Sequence, residues 1–146
     1  SAICSSFKQE LLQGKHNFSS SGGDTFKIAL YDSSATLGAS TTGYSASEEI
    51  TNTSGTAYQA TGAELTRTGV GLTGTTAFTD FGDVTYTSAS FTANAALIYN
   101  TTTGTNTGTT NAVCAIAFGG DKTASNGTFK IEFPANDATA AIIRLA

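Results

Sequence analysis

Apolar and polar positions along this chain alternate in short runs, cut up by glycine and asparagine. In the run from Thr25 to Tyr31, Phe26, Ile28 and Leu30 fall on one side and Lys27, Ala29 and Tyr31 on the other. This period of two is that of a half-buried strand. The same pattern predicts a strand from Ala112 to Phe118, where Cys114 and Ile116 share a face, and another from Thr128 to Phe133, with Phe129 and Ile131 on one side. Shorter strands are predicted at Glu49–Asn52, Glu64–Val70, Ala77–Phe81, Val84–Tyr86, Ser90–Tyr99 and Ala141–Leu145. Within Ser90–Tyr99, Ala95 to Tyr99 is apolar on both sides, which predicts a central strand. Gly119-Gly120 and Pro134 are expected to end strands, and Ser125-Asn126-Gly127 to precede a new one. Ser33–Ser47 and Asn100–Asn111 read as long polar loops.

One helix is predicted, at the start of the chain. Ser6 is placed to cap it, with Gln9 three residues later completing a capping box, and Gly14 closes it in the left-handed conformation. Phe7, Leu11 and Leu12 form its apolar side, and Lys8, Gln9 and Glu10 its polar side. Two turns are unstable alone, so the helix must dock on its own domain or on a neighbouring subunit. The organisation expected is an arm and helix over residues 1–18 and a single β domain over 19–146. Some eight or nine strands without internal helices predict an all-β fold, a β-sandwich or a jelly-roll-like barrel.

Composition narrows the chemistry. Threonine makes up roughly a fifth of the chain, only 12% of residues are charged, and His16 is the one histidine. Few groups remain for catalysis, so a structural or binding role without a cofactor is expected rather than an enzyme. Net charge is −4 and the seven Lys and Arg are scattered, so no basic stripe follows a phosphate backbone and no nucleic-acid partner is expected. No apolar run reaches the roughly 18 residues of a membrane span. The first residues lack the apolar core of a signal peptide, which predicts synthesis in a cytoplasm. Cys4 and Cys114 read as free thiols, Cys114 in a strand and Cys4 in the arm; a Cys4 crosslink between subunits is the alternative.

Several motifs imitate chemistry. Gly69-Val70-Gly71-Leu72-Thr73-Gly74 fits a dinucleotide fingerprint, yet a β-prone stretch follows it instead of a helix. Asp80-Phe81-Gly82 matches a kinase triplet without the rest of the kinase set, and reads as a turn flanked by Asp80 and Asp83. Those two carboxylates lack the aromatic platforms of a glycosidase and the ligand spacing of a calcium loop. His16 has no triad pattern around it and is expected at the surface or an interface. Four glycosylation sequons, at Asn17, Asn52, Asn100 and Asn126, are expected by chance in so Thr-rich a chain.

An ordered set of stretches adds to this reading. The helix Phe7-Lys8-Gln9-Glu10-Leu11-Leu12-Gln13-Gly14 precedes Asp24-Thr25-Phe26-Lys27-Ile28-Ala29-Leu30-Tyr31. Gly55-Thr56-Ala57-Tyr58-Gln59-Ala60-Thr61-Gly62-Ala63, Ala96-Leu97-Ile98-Tyr99-Asn100 and Phe118-Gly119-Gly120-Asp121-Lys122 follow, the last running into Asn126-Gly127-Thr128-Phe129. Together they resemble a group of small virion proteins of tailed bacteriophages, some of which look like capsid decoration (cement) proteins. The group often carries G-x-G-Y-x-x-G-G in its middle; Ala57 and Thr61 replace two of those glycines here. The resemblance implies a virion protein made in the bacterial host cytoplasm, bound to the major capsid protein and to itself, a homotrimer being favoured. Ile3, Phe7, Leu11 and Leu12 are the expected partner-binding residues, since a short amphipathic helix needs a surface to lie on. A tail- or fibre-associated adhesin contacting a host receptor through Ser33–Ser47 and Asn100–Asn111 is the alternative, followed by a carbohydrate-binding module.

Overall fold

A computed structural model describes residues 1–50, 56–102 and 111–146. Its elements are β1 (Ala2–Ile3), α1 (Ser5–Leu12), β2 (Phe26–Tyr31), β3 (Ala63–Glu64), β4 (Arg67–Thr73), β5 (Thr76–Phe81), β6 (Val84–Asn100), β7 (Asn111–Ile131) and β8 (Ile143–Leu145). The fold is all-β. One antiparallel sheet has the order β1-β7-β6-β2-β3 and a second the order β4-β5-β8; neither closes into a barrel. The sheets meet through aromatic rings, with Phe26 of β2 and Phe81 of β5 at 5.5 Å and Phe18 stacked on Phe26 at 4.5 Å. The centre of the first sheet is buried on both faces: Ile28, Ala29 and Leu30 of β2 and Ala96, Leu97 and Ile98 of β6 are fully covered.

The expected strand breaks became bends. Val84–Tyr86 and Ser90–Tyr99 belong to one 17-residue strand, and the two strands predicted around Gly119-Gly120 to one of 21 residues. The chain turns corners at residues with positive φ. Ser88 (50°) and Asn126 (49°) lie where the β6–β7 register slips, and Gly119 (76°) and Gly120 (136°) where Ala93↔Lys122 gives way to Ala95↔Ala117. Such bulges re-aim a strand without ending its pairing. The ribbon curls, so that Tyr86 and Phe91 of one strand meet at 5.5 Å and Phe118 and Phe129 of the other at 6.3 Å.

The helix differs from expectation at its start and agrees at its end. Cys4, not Ser6, occupies the N-cap, and it makes no side-chain cap bond. The backbone provides the partners: Cys4 N–H donates to Val113 O and Ser5 N–H to Ala39 O, at 3.0 and 2.8 Å. Pairing of β1 with β7 fixes where the helix begins, and Ser6 Oγ is left buried without a partner among the described residues. At the other end Gly14 adopts φ 68°, its N–H donating to Leu11 O and that of Lys15 to Glu10 O, a Schellman closure.

Cys4 is fully buried, its thiol directed at Gly38 O, and Cys114 is 3% exposed; both are free. Ile3 pairs with Cys114, so Cys4 and Cys114 project to opposite faces of the sheet. The crosslinking alternative for Cys4 fails on burial. Desolvation raises both thiols, Cys114 to about 12. The strand expected at Glu49–Asn52 lies partly outside the described residues, and Glu49 makes only an isolated bridge to Tyr31. The loop from Asn100 to Asn111 and the sequon at Asn52 lie mostly or wholly outside them.

Candidate functional site: two apolar grooves

Two largely buried polar clusters tie the loops to the sheet. The first holds His16, expected at the surface or an interface, whose side chain is covered within its own chain and has no exposed surface. Rings of Phe7, Phe18 and Phe26 surround it. The bonds define its tautomer. Thr102 N–H donates to Asn100 Oδ1, so the Asn100 amide NH2 faces Asp24 Oδ2 at 2.8 Å and His16 Nδ1 at 3.1 Å. Nδ1 is therefore an acceptor, and Nε2–H donates to Glu10 Oε2 at 2.6 Å. Both ring nitrogens are engaged and the ring is covered, so the imidazole binds α1 to β6 and reaches no substrate. Asn100 is itself fully buried, which removes its sequon from the surface.

The second cluster is centred on Glu49, which sequence reading missed. Its Oε1 accepts from Tyr58 Oη at 2.6 Å and Thr61 N–H at 2.7 Å, and its Oε2 from Tyr44 Oη. Leu30 N–H donates to Tyr58 Oη, and Tyr99 Oη donates to Thr61 O. Burial, then the bond to Glu49, pushes the Tyr44 and Tyr58 phenols well above their usual range. The stretch Ser33–Ser47 is thus pinned at its end, Tyr31 Oη also donating to Ser45 O. Ala57 and Thr61 adopt φ of 68° and 75°. The loop keeps a backbone that glycine would hold without strain.

The remaining motifs resolve into structure. Gly69 to Gly74 forms most of β4 and its turn into β5, with no helix after it. Asp80 is 1% exposed and accepts from Phe81 N–H at 2.8 Å and Ile142 N–H at 3.2 Å, which seats the C-terminal segment on β5. Asp83 is directed to Lys130 at 3.2 Å, so the two carboxylates share no open groove. Among the described residues, no group of three His, Cys, Asp or Glu side chains is placed to hold a metal, and no helix is long and apolar enough to cross a membrane.

Two apolar grooves stand out on the surface of the described residues. The larger, about 820 Å³, lies along β7 beside β1 and is lined by Ile3, Phe118, Phe129, Ile131, Phe133 and Ile142. β1 covers the outer edge of β7 only at Cys114 and Ala115. The smaller, about 450 Å³, separates the end of α1 from the second sheet, with Leu11, Phe18, Val70, Ala77, Phe78 and Leu145 in its walls. Register explains the second groove. Val70, Thr79 and Ile143 stand side by side across β4, β5 and β8, and so do Leu72, Ala77 and Leu145, all on one face. That face leaves Val70 64%, Leu72 71% and Leu145 57% exposed.

The four residues expected to bind a partner divide among these places. Phe7 is 1% exposed and packs within its own chain, next to His16 and Phe18. Ile3 lines the larger groove and Leu11 the smaller, while Leu12 stands 93% exposed. Val70, Leu72 and Leu145 were not singled out from sequence. In comparisons with protein-family models, curated proteins and solved structures, nothing matches this chain.

Proposed function

We propose that this chain is a structural protein of a tailed-phage virion, a decoration (cement) protein that bridges major capsid proteins on the outside of the head. The observation that carries this reading is the pair of apolar grooves. They share no lining residue, and they sit on a scaffold cross-tied by the His16 and Glu49 clusters. A bridging protein needs at least two contact surfaces held in fixed relation, because many modest contacts repeated by symmetry add up only when geometry lets them engage together. The ordered sequence stretches that resemble small phage virion proteins support the same assignment. The residues in contact roles are Ile3 in the larger groove and Leu11 and Leu12 at the smaller.

The test is stoichiometry. Quantitative mass spectrometry of purified particles is expected to find this chain in hundreds of copies per virion, on the scale of the major capsid protein. A copy number of a dozen or fewer favours a tail or fibre position and contradicts the decoration reading.

A further inference from the structure

We propose that the face formed by β4, β5, β8 and the end of α1 is the self-association surface of this chain, and that Leu12 of one copy enters the smaller groove of another. This deepens the proposed function and rests on that reading for its place in a virion: the smaller groove and Leu12 join copies of this chain, and the oligomer then bridges capsid proteins through the larger groove, repeated once in each copy.

Among the described residues, the large hydrophobic side chains most open to solvent are Leu12, Val70, Leu72 and Leu145. Three stand at the open end of the second sheet's inner face, beyond the buried Thr79 and Ile143 of that face, and Leu12 follows Leu11 in the wall of the adjoining groove. At about 60–120 Å² for a fully exposed side chain of this size, the four leave roughly 170–340 Å² of apolar surface open. That matches the apolar centre of an interface burying about 800 Å² per partner, once a polar rim is added. The segment Thr68–Thr79 carries no charged side chain, so identical copies meet there without like-charge repulsion. The face also holds both halves of a contact. Leu12 is a knob that its own chain leaves uncovered, and the 450 Å³ groove beside it is an apolar hollow of ample size. Leu12 is fixed next to the hollow's wall and does not line it. In a closed symmetric assembly each copy's knob fills the hollow of the next, so no exposed Leu12 remains.

The experiment uses sedimentation velocity on the full chain and on Leu12→Glu, together with oxidative crosslinking. Leu12 is so exposed that the substitution leaves the monomer's packing intact, which circular dichroism verifies. The wild type is expected to sediment as a discrete oligomer at tens of micromolar, and Leu12→Glu to weaken association about a hundredfold. Mixing Leu12→Cys with Leu145→Cys is expected to give the mixed disulfide dimer, the two native thiols being buried. A monomeric wild type overturns the inference, and so does an oligomer unaffected by Leu12→Glu or one that yields no mixed disulfide. A monomer abundant in particles overturns only this inference, whereas an oligomer missing from particles overturns only the virion reading.

Discussion

The loop from Ala57 to Gly62 places three demands on backbone geometry, and substitutions there have calculable effects. Ala57, Thr61 and Gly62 have φ of 68°, 75° and 90°. An L side chain in this region costs about 1–2 kcal/mol, which glycine avoids. Glycine also loosens the unfolded chain, at a cost of about 0.4–1 kcal/mol. Ala57 is exposed and makes no side-chain bond, so Ala57→Gly is expected to stabilise by about 0.5–1 kcal/mol, or about 1–4 °C in Tm. Thr61→Gly keeps the backbone bonds to Glu49 and Tyr99 but loses the one from Lys27 Nζ to Thr61 Oγ1, which offsets most of its gain. Gly62→Ala is the opposite control: a Cβ there would lie 2.1 Å from Ile28 O, so the loop or β2 must move. Calorimetric melts of the three variants beside the wild type form the assay. A Tm for Ala57→Gly at or below that of the wild type, with Gly62→Ala tolerated, would refute the left-handed geometry assigned to this loop.

Four further outcomes are expected. Ser6→Ala should leave stability unchanged or raise it in urea melts, because Ser6 Oγ is buried and unpaired, whereas a working cap would make the same change cost about 1 kcal/mol. Phe7→Ala should cost about 3–5 kcal/mol in the same melts, its ring being core and not contact surface. Glu49→Ala should destabilise by several kcal/mol and raise proteolysis at Ser33–Ser47, since Tyr58 Oη and Thr61 N–H lose their acceptor together. Burial raises the Asp80 carboxyl above its ordinary 3.8, so the folded state binds its proton more readily than the unfolded state. Its contribution to stability therefore declines as pH rises from 3.8 through the folded value, and Asp80→Asn removes that decline. The difference between Asp80→Asn and wild type should shift in favour of the variant between pH 4 and pH 7.

The strands at Phe26–Tyr31 and within Asn111–Ile131 were legible in the sequence because their large apolar side chains recur every second residue, although β2 and the start of β7 are buried on both faces. Their continuity was not, because Gly119, Gly120 and Asn126 mark a bulge as readily as an end; only cross-strand pairing decides. The helix end was readable from Gly14, a local requirement. Its start was hidden, since Val113 and Ala39, distant in sequence, supply the partners that Ser6 was expected to provide. His16 was opaque because Asn100, 84 residues away, holds its Nδ1; Glu49 was opaque because Tyr44, Tyr58 and Thr61, though 5, 9 and 12 residues away, reach it only through irregular loop geometry that no sequence period marks. The exposed face needed the register of three strands. Val70 and Leu72 alternate with glycines that imitate a nucleotide motif, and only the pairing of β5 with β8 brings Leu145 beside Leu72's row.

Immunogold labelling of intact phage particles, with antibody raised against this chain, tests the central claim most directly. The account predicts gold distributed over the whole outer surface of the head. Gold confined to the tail or its tip, or particles without gold, would contradict it.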